Sequence, residues 1–191
     1  MEPREFIDFL GVIEKLKCNT RHSWTSSGRR ESVAEHTWRL AVMALLTKED
    51  FPAIDNNKLI KMCLIHDLGE AITGDIPSFF KTDDHEKAED EAIEKILSML
   101  PEKTSKEFRA LYDEMREMKS DEARLYKALD NMEAVVSHNE APISTWIDME
   151  YTENLIYGEK TAAAFDWTRK VREVLKEDSI KKIERESEKK E

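Results

Sequence analysis

Apolar residues recur every three to four positions through most of the chain, and that period predicts helices. Phe6, Phe9, Leu10, Ile13 and Leu16 share one face over residues 3–17, with Pro3 suited to a first turn. Residues 18–31, CNTRHSWTSSGRRE, lose the period and gather small polar side chains, so a loop is expected there. Ser32-Val33-Ala34-Glu35 has the form of a capping box and predicts a helix from there to about Thr47. A connection from Phe51 to Asn57 leads into residues 58–69, apolar nearly all round except Lys58 and Lys61, as expected of a central helix. Residues 71–84 hold Gly74, Pro77 and Asp83-Asp84 and read as a loop ending in a helix cap. Ala88, Ala92, Ile93, Ile96 and Leu97 then mark an amphipathic helix over 85–100. Thr104-Ser105-Lys106-Glu107 offers a second capping box, before a helix to about Met118. Ser120 caps the next, whose inner stripe is Leu125, Leu129, Met132 and Val136. Residues 140–158, with Pro142 and Gly158, are less regular, and a last helix is expected over 159–176. The chain therefore reads as all-α: one domain of six or seven helices over residues 1–176, then a charged tail over 177–191, solvated or frayed.

Composition agrees with this pattern. The 191 residues suffice for one domain with a real core, and only five Gly and five Pro disfavour a turn-rich β sandwich. A net charge of −11 argues against a nucleic-acid polymer as partner, since a duplex-binding surface is more often basic. A small anionic ligand is compatible if a metal or local positive charge receives it. Cys18 and Cys63 lack CxxC spacing, which fits a reducing compartment. The longest membrane-like run, Leu40 to Leu46, is far too short to span, and MEPREF has no signal pattern, so a soluble, cytoplasmic protein is expected.

The chemistry concentrates in CLIHDLGEAITGD, residues 63–75. His66 and Asp67 end the central helix. An ionised carboxylate buried there carries a large desolvation cost unless it is paired or bound to a metal. An ion needs further ligands. His36, on the first turn of the helix that Ser32 caps, is one candidate. Asp130, on a face with Tyr126 and Ala134, is another, with Asp113 and Asp121 as alternatives by spacing. Two histidines and two aspartates suit Mn²⁺, Co²⁺, Fe²⁺, Ni²⁺ or Zn²⁺ better than Ca²⁺. Glu70, one turn beyond His66, is placed to accept a proton from water. Taken singly, each of these residues also fits an ordinary role: His36 as a core histidine, Glu70 as a solvated helix-end acid, Arg21 as a loop arginine and Trp24 as a packing anchor. His22, His85 and His138 read as surface or boundary histidines.

The strings KLKCNTRHSW, RRESVAEH, HDLGEAITGDIPSFFK and DEARLYKALDNMEA, in this order over about residues 5–160, resemble the HD-domain metal-dependent phosphohydrolases, and within them the 5′-deoxynucleotidase branch. The resemblance implies a helical bundle that hydrolyses deoxynucleoside 5′-monophosphates to deoxynucleosides and phosphate. It implies His36, His66, Asp67 and Asp130 as metal ligands and Glu70 as the acid that positions or activates water. Arg21 would orient the phosphate. Asp75 would lie near the sugar, and Trp24 against base or sugar. Glu70, Asp75 and the Ile76 backbone would hold a second metal in some members. The native ion stays open among Mn²⁺, Co²⁺, Mg²⁺, Fe²⁺, Ni²⁺ and Zn²⁺, and a homodimer is implied. Some members read RxGW, where this chain has Ser23 in place of glycine; others have tryptophan directly after the arginine, where His22 stands. Alternatives are an HD-type phosphodiesterase, a nucleoside polyphosphate hydrolase or a non-catalytic nucleotide-binding regulator.

Overall fold

Helix starts follow the capping chemistry closely. In the computed structural model, which describes residues 1–77 and 80–188, Ser32 Oγ accepts from the Glu35 N–H at 3.3 Å while Ser32 N–H donates to Glu35 Oε2 at 2.9 Å. This reciprocal cap opens α2 (Val33–Leu46), after α1 (Pro3–Ile13) and a 3-10 turn (Glu14–Lys17). Asp55 caps α3 (Asn56–Ile65), and a short α4 (Glu70–Thr73) follows. Then come α5 (Asp83–Leu97), α6 (Glu102–Glu117) and α7 (Asp121–Glu140), the last capped by Ser120 Oγ accepting from Ala123 N–H at 3.2 Å. A 3-10 turn (Ile143–Thr145), α8 (Glu150–Ile156), α9 (Glu159–Ala162) and α10 (Asp166–Glu188) complete the chain. The architecture is all-α, as the period predicts.

Four expectations need correction. Residues 18–31 are not a plain loop: β1 (Thr20–Trp24) pairs antiparallel with β2 (Arg30–Ser32), Thr20 opposite Ser32 and Trp24 opposite Arg30. Four steps on β1 face two on β2, so β1 bulges, and a bulge re-aims side chains that simple alternation would separate. The central helix stops at Ile65, and tighter turns carry the chain to Glu70. The second capping box lies inside α6, which Pro101 starts three residues earlier, with Ser105 N–H donating to Pro101 O. The last helix does not end near residue 176. α10 continues unbroken past residue 176, because Ser179 is buried against Asn139 and Lys182 Nζ donates to the Asn139 carbonyl at 2.9 Å. Residues 189–191 of the charged tail, and Ser78 and Phe79 of the loop expected over 71–84, lie outside the described residues.

α7 is the central element, packed on α2, α3, α6, α9 and α10. Leu125, Leu129 and Met132 are fully buried with Leu40 of α2 and Leu59 and Met62 of α3. At about 25 cal/mol per Å² of apolar surface, each of these side chains contributes about 1.5–3 kcal/mol, so the α2–α3–α7 core is the rigid frame on which the site is hung.

Candidate active site

α2 and the α3–α4 junction bring His36, His66 and Asp67 together, and α7 sets Asp130 beside both histidines. His36 Nε2 lies 3.2 Å from His66 Nε2, 3.7 Å from Asp67 Oδ2 and 3.2 Å from Asp130 Oδ1. His66 Nε2 lies 3.0 Å from Asp67 Oδ2 and 3.7 Å from Asp130 Oδ1. Ligands about 2.1 Å from an ion sit about 3.0 Å apart at octahedral corners and about 3.4 Å apart at tetrahedral ones. His36, His66 and Asp67 are spaced close to such a shell, and Asp130 Oδ1 lies near both histidines but outside that compact group. Among the described residues, His36, His66 and Asp67 are the group whose ligand atoms all fall within 4.8 Å.

The tautomers agree. Glu133 can only accept, so His36 Nδ1–H donates to its Oε2; likewise His66 Nδ1–H donates to the Cys63 carbonyl at 2.8 Å. Both neutral rings then direct the Nε2 lone pair at the shared point, an arrangement that orients metal-ligating histidines. Asp67 Oδ2 is buried with no hydrogen-bond partner. Burial and Arg21 depress the His36 pKa, but Glu133 and Asp130 outweigh them and raise it to about 9. Asp130 is held well below the usual carboxylate range: burial opposes this, but Lys127 and the two histidines prevail. The site attracts positive charge, and a proton takes part of that role where a cation fits. The donor set fits a divalent ion.

Around these donors lies a cavity of about 520 Å³, lined by Arg21, Asp67, Glu70 and Asp75 and extending to α8. The β1 bulge points Arg21, His22 and Ser23 consecutively into it. Arg21 NH1 is 3.5 Å from Asp67 Oδ2 and 3.8 Å from Asp75 Oδ1, distances that hold the guanidinium in place without closing it into a bidentate pair. Gly74, at φ +77°, makes the turn that sets Asp75 there. Glu70 is buried, its Oε2 unpartnered, and its pKa is pushed up to about 10, by burial first and then by Asp67 and Asp75, against Arg21 and Lys81. Burial also raises Asp75, against Arg21.

Of the sequence candidates, Trp24 does not line this cavity. It ends β1, and the Arg30 guanidinium covers its ring at 4.8 Å. The hairpin pairing that places Arg30 opposite Trp24 is the cause. Asp113 is exposed beside Arg116, 3.8 Å away, and is no ligand alternative. His22 and His138 are not simple boundary residues: both line the cavity, with Nε2 atoms 3.1 and 3.3 Å from Oε1 of the buried Glu150. Glu133 is also missed by sequence reading. It is fully buried, ion-paired to Arg39 Nε at 2.6 Å, and held at a pKa of about 2: burial opposes this, and His36, Arg21 and Arg39 outweigh it. The available signal is the stripe Tyr126, Asp130, Glu133, Ser137, which runs beside the apolar one on α7.

Known proteins share these features. The HD-domain family matches residues 13–170. The human 5′-deoxynucleotidase HDDC2 is 34% identical over 141 residues, 72% of this chain and 68% of its own length. The Dictyostelium discoideum 5′-deoxynucleotidase HDDC2 is 36% identical over 69% of this chain and 74% of its own. The crystal structure of a predicted metal-dependent phosphohydrolase from Magnetospirillum magnetotacticum MS-1 superposes with a TM-score of 0.80 at 26% identity, covering 94% of this chain and 93% of that one. Four converging donors on this helical frame, matched across most of the chain, place it in the HD-domain family, among the relatives of the 5′-deoxynucleotidases.

Proposed function

We propose that the chain hydrolyses deoxynucleoside 5′-monophosphates to deoxynucleosides and phosphate, with a divalent ion held by His36, His66, Asp67 and Asp130. The observation that carries this reading is the grouping of those donors with Arg21 and Glu70 at a cavity of about 520 Å³. When bound, the ion supplies Lewis-acid polarisation of a phosphoryl oxygen and a lowered pKa for water beside it. Arg21 donates to the phosphate oxygens and orients the phosphorus for in-line attack. Glu70 accepts the attacking water's proton. To do so it must be ionised, and positive charge at the neighbouring donors favours that form. Asp75 lies across Arg21 from Asp67, bounding the phosphate end. With Glu70 and the Ile76 backbone it is also the place for a second ion.

The physiological ion belongs to the Mn²⁺, Co²⁺, Mg²⁺, Fe²⁺, Ni²⁺ and Zn²⁺ set. No helix among the described residues is long and apolar enough to cross a membrane, and Cys18 and Cys63 are both free, which supports a reducing, cytoplasmic setting. Trp38 and Leu45, seven residues apart on α2, are exposed and support pairing of two copies. The test of function is phosphate release from a panel of deoxy- and ribonucleoside 5′-monophosphates by metal-stripped protein with each ion added back, beside D67A. Ion-dependent release from deoxynucleotides, abolished in D67A, is expected. Ion-loaded protein inert to the whole panel would overturn the reading.

A further inference from the structure

The cavity continues beyond its phosphate end along α7. Asp130, Ala134 and His138 line it at every fourth residue, so they share one helix face and extend about 12 Å along the axis at 1.5 Å per residue. α8 lies alongside and runs the other way. Glu150 at its start is 3.3 Å from His138, and Asn154 Oδ1 accepts from His138 Nδ1–H at 2.8 Å. Gly158, just past its end, lies against Asn131. Glu150, Glu153, Asn154 and Tyr157, at i, i+3, i+4 and i+7, all face the cavity.

These four side chains differ in what they hold. Glu150 and Asn154 are buried and fix α8: Glu150 Oε2 accepts from Ile147 N–H at 2.8 Å while its Oε1 faces His22 and His138, and Asn154 bonds α7. Arg172 of α10 closes the far end, donating to the Asn154 and Tyr157 carbonyls at 2.8 and 2.7 Å. Glu153 is half-buried, and among the described residues its carboxylate makes no hydrogen bond or ion pair. A carboxylate partly withdrawn from water needs donors in return. A phosphate has only acceptors to offer and is repelled. The edge of a nucleobase offers N–H groups.

We propose that α8 is the nucleoside wall of the site and that Glu153 is a specificity-determining residue, accepting N–H hydrogen bonds from the base. This rests on the function proposed above, since a phosphate held at the donor end fixes which end of the substrate reaches α8. Chemistry ranks the bases. Guanine presents two adjacent donors, N1–H and the 2-amino group, matching the two carboxylate oxygens. Adenine and cytosine present one amino group beside a ring acceptor. Thymine presents one imide N–H flanked by two carbonyl oxygens that oppose the carboxylate. Guanine ranks first and thymine last.

The test compares wild type with E153Q, which keeps the size of this half-buried side chain. The wild-type kcat/KM for dGMP is expected to exceed that for dTMP roughly tenfold, and the ratio in E153Q to fall to within about threefold. Calorimetric affinities for deoxyguanosine and thymidine give a second readout that needs neither ion nor phosphate, and the same selectivity and loss are expected. A merely structural role would lower all substrates alike and leave the ratio standing. An unchanged ratio in both readouts, or a wild type indifferent to the base, overturns the inference while the phosphatase reading stands. Guanine-selective nucleoside binding that E153Q abolishes, in a protein inert to every nucleotide, would instead overturn the proposed reaction and keep the wall.

Discussion

Two histidine pairs flank one cavity with opposite orientations. In the His36–His66 pair each Nδ1 is occupied, by Glu133 and by the Cys63 carbonyl, so both Nε2 atoms turn to a shared point 3.2 Å across. In the His22–His138 pair both Nε2 atoms turn onto Glu150 Oε1, at 3.1 and 3.3 Å. The residue types are the same, histidine with a buried glutamate. The nitrogen that the surroundings occupy decides the outcome. The first pair is left with lone pairs for a cation, and the second faces a buried carboxylate where hairpin, α7 and α8 meet. Ligand capacity is therefore a property of second neighbours as much as of histidine itself.

The comparison can be broken at several points, and the largest effect is expected at Asp67. D67A removes a donor whose Oδ2 is buried without a hydrogen-bond partner, and both the bound ion and phosphate release should disappear, checked by elemental analysis and assay. An active D67A would mean that the donors are a structural cluster. E70Q keeps size and fold but cannot accept a proton, so kcat should fall by about 10²–10⁴-fold with ion content unchanged. Loss of the ion in E70Q would recast Glu70 as a ligand. E133Q frees the His36 tautomer and should weaken ion affinity about 10–100-fold in a calorimetric titration. Unchanged affinity would show that the second neighbour does not matter.

Smaller effects probe the frame. Gly158 has φ +77°, and a Cβ there would lie 2.9 Å from Asn131 Cβ, so G158A forces α8 off α7. The left-handed conformation alone costs about 1–2 kcal/mol, lowering Tm by roughly 2–8 °C. A Tm equal to wild type in thermal unfolding would show that α8 docks by other contacts. The smallest expected effect lies far from the cavity, where Glu122 accepts from Asp55 N–H and pairs with Lys58, each at 3.0 Å. Burial raises its pKa, but these partners lower it below the ordinary value. A folded pKa below the unfolded one stabilises above the unfolded pKa of about 4.3 and fades as pH falls through the folded value. E122Q should thus cost under about 1 kcal/mol at neutral pH, and the gap to wild type should close in denaturant titrations at acid pH. A gap that widened in acid would reverse the assignment.

The donors were legible because each sits beside an apolar run that predicts burial, and a buried His-Asp dipeptide demands a partner. Ser32 and Ser120 were legible as caps because capping is local chemistry. The hairpin was not, because the β1 bulge leaves residues 20–24 without the alternation that marks a strand. α8 was hidden for a related reason: its inward face carries the buried polar residues Glu150 and Asn154, and a search for apolar stripes passes over it. α10 continues beyond residue 176 for the same kind of reason, since Ser179 and Lys182 dock on Asn139, which no local pattern announces. What escaped the sequence, apart from the hairpin, was a polar side chain whose partner lies on another element.

The most direct test of the central claim is a metal titration of wild type, H66A and H138A by calorimetry with elemental analysis. One pair being open to a cation and the other closed predicts one tightly held ion per chain at the four donors in wild type, unchanged in H138A and absent in H66A. An ion retained by H66A, or lost equally from H138A, would contradict it.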